Sequence, residues 1–140
     1  MLKDDFKFSD LDVKVSSSGN IKGNISGNNV NIQASSSGDY NGDVIAKSLN
    51  LQTSSSGGIN IKGKAESVSA QASSSGDIKA ENLTSESAVL TTSSSADITI
   101  GVRTSLTASA SSSGDINAIK RGDPNKVTKN ESSSGSVNIR

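Results

Sequence analysis

The chain has 140 residues, enough for one domain, and its 14 Lys and Arg balance 14 Asp and Glu. That balance excludes a basic field for nucleic acid. The absence of Cys and His removes disulfides, thiolate chemistry, the usual general base and the usual zinc ligand.

Leu, Ile, Val and Phe make up about a fifth of the chain, close to the disordered range, so a folded reading has to come from their spacing. No apolar run reaches the roughly 18 residues of a membrane span. The first eight residues hold no apolar stretch of the secretory kind. The chain therefore reads either as cytoplasmic or as the mature portion of a longer exported protein with an added Met1.

Residues 1–10 open with Phe6 and Phe8 at strand spacing, and are expected to cap or edge a fold whose repeats occupy 11–140. The repeats announce themselves at Ser16, the first of seven Ser-Ser-Ser runs. The others begin at Ser35, Ser54, Ser73, Ser93, Ser111 and Ser132, at steps of 19, 19, 19, 20, 18 and 21. Six runs end in Gly (Gly19, Gly38, Gly57, Gly76, Gly114, Gly135) and one in Ala96. A period near 20 marks a solenoid, in which each repeat covers its apolar face only by stacking on its neighbours.

Ahead of each run the apolar residues alternate with polar ones. Five residues before it stand Leu11, Val30, Leu49, Val68, Ala88, Leu106 and Val127. Three before stand Val13, Ile32, Leu51, Ala70, Leu90, Ala108 and Lys129. Between them lie polar residues such as Asn31 and Gln33, Asn50 and Gln52, and Ser69 and Gln71. This is the period-2 pattern of a strand with one buried face.

After each run a second alternation begins at Ile21, Tyr40, Ile59, Ile78, Ile98, Ile116 and Val137. Each repeat thus predicts two strands flanking the serines, then a connection that absorbs length variation, as at 26–29, 62–67 and 121–126. Parity carried through the serines places the middle ones (Ser17, Ser36, Ser55, Ser74, Ser94, Ser112, Ser133) on the inward side of a bend. Ala96 in the glycine column argues that smallness, not a left-handed backbone, is what that column needs. Matching columns on successive repeats predict an all-β, single-stranded, right-handed parallel β-helix of about seven coils, about 19 residues each. Lys129 and Glu131 fall in inward columns and predict a last coil that is only half buried.

The repeated Ser-Ser-Ser-Gly-Asp-Ile, at residues 73–78 and 111–116 and with Tyr40 for Ile at 35–40, resembles the Ser-Gly-Ser-Gly-Asp-Ile repeat of the head GIN domain family of auto-transporter adhesins. The closing Gly122-Asp123-Pro124, Val127 and Ser132 to Val137 is similar to the family's final segment, and Gly58-Ile59-Asn60 spells its triplet. The resemblance covers residues 9–140 and departs from the family in placing Ser at the middle of each run. It implies a β-helical fold and an extracytoplasmic, surface-associated role in Bacteroidetes-type bacteria. It brings no catalytic residues.

Asp77, Asp97 and Asp115 fall one per coil on an outward column and are the candidate calcium ligands, although Asp and Asn also favour turns for local reasons. No cofactor is expected. Paired carboxylates recur in glycosidases, but such sites need a cleft, and short coils with small loops offer none. The Asn-x-Ser/Thr triplets at Asn24, Asn82 and Asn130 are what chance yields in a chain rich in Asn and Ser.

Three classes follow. The first is a non-catalytic adhesin-like module that meets a glycan or a surface protein on Asn31, Gln33, Asn50, Gln52 and Gln71. The second is a self-assembling rod of the bactofilin kind, pairing end to end. The third is an ice- or surface-binding helix with a hydroxyl ladder, which would call for threonine and an outward array.

Overall fold

The computed structural model describes residues 5–15, 17–122 and 126–140, with side chains from Asp10 onward. The side chains of Phe6 and Phe8, the whole of Ser16, and the Asp123-Pro124 pair lie outside the described residues. Nine strands and no helix make up the described chain: β1 (Asp5–Val15), β2 (Asn20–Ala34), β3 (Asp39–Thr53), β4 (Gly58–Ala72), β5 (Asp77–Thr92), β6 (Asp97–Ala110), β7 (Asp115–Lys120), β8 (Lys126–Glu131) and β9 (Ser136–Ile139).

All pairings are parallel, in the order β1-β2-β3-β4-β5-β6-β7-β9, with β8 on β6. Register follows the serine columns. Leu11 pairs Val30, Val30 pairs Leu49, Leu49 pairs Val68, and Val68 pairs Ala88. The fold is a β-solenoid of about seven turns.

The strands are longer than two short pieces per repeat. β2, β3 and β4 each run 15 residues without a break. The expected connection at 26–29 is itself paired in regular register with the next coil. It changes phase by exposing two successive residues, as at Glu66 and Ser67, and this turns the strand while keeping its hydrogen-bond ladder. Length variation concentrates in two places instead. Glu81–Leu83 bulge between Ala80, opposite Ile100, and Thr84, opposite Gly101. The other is the stretch between Lys120 and Lys126, where β7 gives way to β8.

The interior is built of columns. Ile59, Ile78, Ile98 and Ile116 are 0–1% exposed and stack one above another, with Ile21 partly buried at the end of the row. Tyr40 takes an isoleucine's place in that column and is fully buried, its hydroxyl donating to Gly23 O at 3.3 Å. Beside it, a Cβ at Gly42 would lie 1.7 Å from Gly23 O, so position 42 must be Gly for the two backbones to approach. Burying these columns is the main favourable term, at about 25 cal/mol per Å² of apolar surface. The last coil is open, as Lys129 and Glu131 predict: every residue of β8 is exposed.

The middle serines are a correction. Ser17, Ser36, Ser55, Ser74, Ser94, Ser112 and Ser133 are exposed, not inward. All seven have positive φ, from 49° to 62°. A left-handed residue there closes a four-residue turn, in which Gly76 N donates to Ser73 O at 3.1 Å and Gly114 N to Ser111 O at 3.1 Å. The turn resets the alternation and throws two serines per coil outward.

Within the stack, at Gly38, Gly57, Gly76 and Gly114, the glycine column is buried, and none of its members has a positive φ. A Cβ at Gly76 would lie 2.5 Å from Thr53 Oγ1, and one at Gly114 would lie 2.4 Å from Thr92 Oγ1. Smallness is the requirement there, as Ala96 indicates.

Candidate functional site

With the interior filled by side chains, any partner meets the outward columns. Gln33, Gln52 and Gln71 stand in register on successive coils. Their amides form a ladder: Gln33 Nε2 donates to Gln52 Oε1 at 2.6 Å, and Gln52 Nε2 donates to Gln71 Oε1 at 3.2 Å. The ladder holds all three side chains in one orientation. With the neighbouring serines it lines a shallow groove of about 420 Å³ over Ala34, Thr53 and Ala72.

Asn31 and Asn50 stand two residues earlier in the same strands, beside a larger groove of about 610 Å³. Asn31 Nδ2 donates to Asp12 Oδ1 at 2.9 Å, and Asn29 Nδ2 donates to Asp10 Oδ1 at 2.7 Å. Sequence spacing places these residues on one face, but it gives no sign of the Asp10 and Asp12 partners or of the groove between the columns.

The acidic column is also in register: Asp77 opposite Asp97, and Asp97 opposite Asp115. Burial pushes the Asp97 carboxyl above its ordinary value, and the negative charges of Asp77 and Asp115 push it further the same way. A raised carboxyl favours the folded state while it is protonated. Stability therefore falls as pH rises from its ordinary value through the folded one. Among the described residues, no group of three or more acidic side chains converges on a point that would hold an ion. The described ion pairs are Lys62 with Asp43 at 3.7 Å and Arg103 with Glu86 at 3.4 Å, both on the surface; neither Lys22 nor Lys79 neutralises the acidic column.

The serine corners form a third outward feature. Ser75 N donates to Ser55 O at 2.8 Å, Ser95 N to Ser74 O at 2.9 Å, and Ser113 N to Ser94 O at 2.8 Å. These bonds tie successive corners into a rigid edge carrying two exposed hydroxyls per coil. The edge removes one objection to the surface-binding helix, since the hydroxyls point outward. The other stands: the residue is Ser rather than the more rigid Thr.

The family model described as "Putative auto-transporter adhesin, head GIN domain" matches residues 7–124. Among solved structures, a putative adhesin from Bacteroides fragilis superposes with a TM-score of 0.79 at 14% identity, over 96% of this chain and 93% of the other. At that identity the likeness is one of fold. A putative lipid binding protein from Parabacteroides distasonis superposes with a TM-score of 0.75 at 26% identity, over 97% of this chain. The present chain spans 58% of that protein's length. No curated protein matches the sequence.

Proposed function

This chain belongs to the head GIN domain family, and from that membership we propose that it is a non-catalytic, extracytoplasmic adhesin-like module that presents flat polar faces to a glycan or a surface protein. The observation that carries the reading is the set of outward amides repeated at coil spacing, with Gln33, Gln52 and Gln71 held in one orientation by their mutual hydrogen bonds. A face whose side chains are already fixed loses little conformational entropy on binding. Each contact contributes about 1 kcal/mol, so useful affinity needs several contacts in a row, and a solenoid supplies them.

A composition without His or Cys agrees with a role that needs no proton shuttle or thiol. The test is an array of immobilised glycans and bacterial surface proteins probed with the soluble protein. It is repeated with Gln33, Gln52 and Gln71 changed to Ala, and with Asn31 and Asn50 changed to Ala. Binding that falls in either variant supports the module. An array that stays blank, together with filaments that lengthen with protein concentration, would replace it with a self-assembling rod.

A further inference from the structure

The open coil of β8 and β9 differs from the coils beneath it in two inward columns. β8 lies on β6 with Lys129 in the column of Ala108 and Glu131 in the column of Ala110. Below Glu131 that column holds small or apolar residues (Val15, Ala34, Thr53, Ala72, Thr92 and Ala110), none more than 4% exposed. The register thus directs an ammonium and a carboxylate toward the interior at the one coil whose leading strand is exposed throughout.

Glu131 does more than point inward. Its Oε1 accepts a hydrogen bond from Val137 N at 2.6 Å, across the serine corner. Successive N–H groups of a parallel strand point to opposite neighbours. Ser136 N donates back into the stack, to Gly114 O at 3.0 Å. The N–H of Val137 therefore points out of the open end, toward the place of an added coil. Ile116, the partner of Val137 one coil below, has β9 on that side. At Val137 the Glu131 carboxylate takes the place of the next strand's carbonyl, with a charge-assisted bond that is the stronger of the two. Covering this end with an apolar strand would break that bond and strip water from both charges. Each cost opposes pairing at an exposed strand edge.

We infer that Glu131 caps the open end of the solenoid and, with Lys129, keeps a second copy of this chain from adding there as the next coil. Without the cap the register suits such a copy, stacked head to tail. Its β1, an edge strand among the described residues, would set Leu11 over Val127, Val13 over position 129 and Val15 over position 131, with Asp10 facing Lys126. Sedimentation velocity of the full chain across a wide range of concentration tests the block. The parent is expected to stay a monomer. Lys129→Ala with Glu131→Ala extends the columns of Ala108 and Ala110 by one coil, and is expected to form oligomers that grow with concentration. Glu131→Gln keeps an acceptor for Val137 N and is expected to stay monomeric. A circular dichroism spectrum like the parent's checks that each variant is folded. Hydrogen exchange at the Val137 amide tests the cap by itself, and Glu131→Ala is expected to speed it about tenfold.

A Val137 amide that exchanges equally fast in the parent and in Glu131→Ala overturns the cap. A double variant that is folded yet monomeric overturns the block. The inference stands apart from the module reading: a parent that assembles end to end while the array finds a ligand overturns the cap alone, and filaments with a blank array overturn both.

Discussion

Tyr40 shows how much one residue reports. It is the only tyrosine, and the chain has no tryptophan. Burial, and then the negative charge of Asp43, push its hydroxyl from 10.0 up to about 12. The neutral form is the one the fold holds. Its contribution to stability is therefore complete below the unfolded value near 10 and is lost as pH rises through about 12. Tyrosinate absorbance of the folded protein should rise with a midpoint near 12, and urea stability should decline across the same interval. Tyr40→Phe should remove the Tyr40 part of that decline while costing about 1 kcal/mol or less at neutral pH, because the hydroxyl's one bond, to Gly23 O, is long. A titration midpoint near 10 would mean that Tyr40 is exposed and that the column is wrongly placed.

At the scale of the element, the serine corner is where sequence reading and structure part. Parity along a strand is legible because the side-chain period is two and one face is buried, and the apolar columns flanking the serines were found that way; the buried column of Ile25, Val44 and Leu83 was not, because it falls in the stretch read as a connection. The corner was not legible, because the left-handed demand falls on a serine, a residue type that carries no such signal, while the conspicuous glycine two places later serves only to be small. The family's glycine at the middle position now has a physical reason. A left-handed conformation costs an L-residue roughly 1–2 kcal/mol, and glycine's extra freedom when unfolded offsets part of the gain from replacing it.

Ser55→Gly, Ser74→Gly and Ser94→Gly together should therefore raise unfolding free energy by about 1–3 kcal/mol in urea titration. Ser74→Val should lower it, since a β-branched residue tolerates positive φ badly. A triple glycine variant less stable than the parent would show that the corners are not strained. The glutamine ladder falls between these cases. Its column was readable, but its hydrogen bonds depend on side-chain torsions that composition does not set.

Across the whole molecule, stability is a sum over neighbouring coils. Ile78 is 1% exposed in the middle of its column, between Ile59 and Ile98. Ile78→Asp places an unpaired charge where both neighbours are apolar, and should cost several kcal/mol, enough to unfold the central coils. Circular dichroism should show the loss of the β signal at temperatures where the parent keeps it. The same change at Val127, 41% exposed in the open coil, should cost far less. Equal effects at the two positions would contradict the column order. The number of coils was legible from the seven serine runs. The bulge at Glu81–Leu83 showed in sequence only as steps of 20 and then 18 residues, which mark an irregularity without saying which residues leave the ladder.

That bulge is also pinned from a distance. The Arg121 guanidinium donates to the Glu81 carbonyl, so a residue from the last full coil holds a strand two coils away. Its side chain lies against Gly101, where an added Cβ would come within 3.0 Å of it. The consequence is mechanical. Under tension along the chain, a stack of independent coils unwinds one at a time from its weaker end, here the exposed β8, and each coil releases about 65 Å of chain at roughly 3.4 Å per residue. Arg121 adds one bond across three coils, so the step that follows the loss of β8 should come at a higher force than in Arg121→Ala, as single-molecule pulling would show.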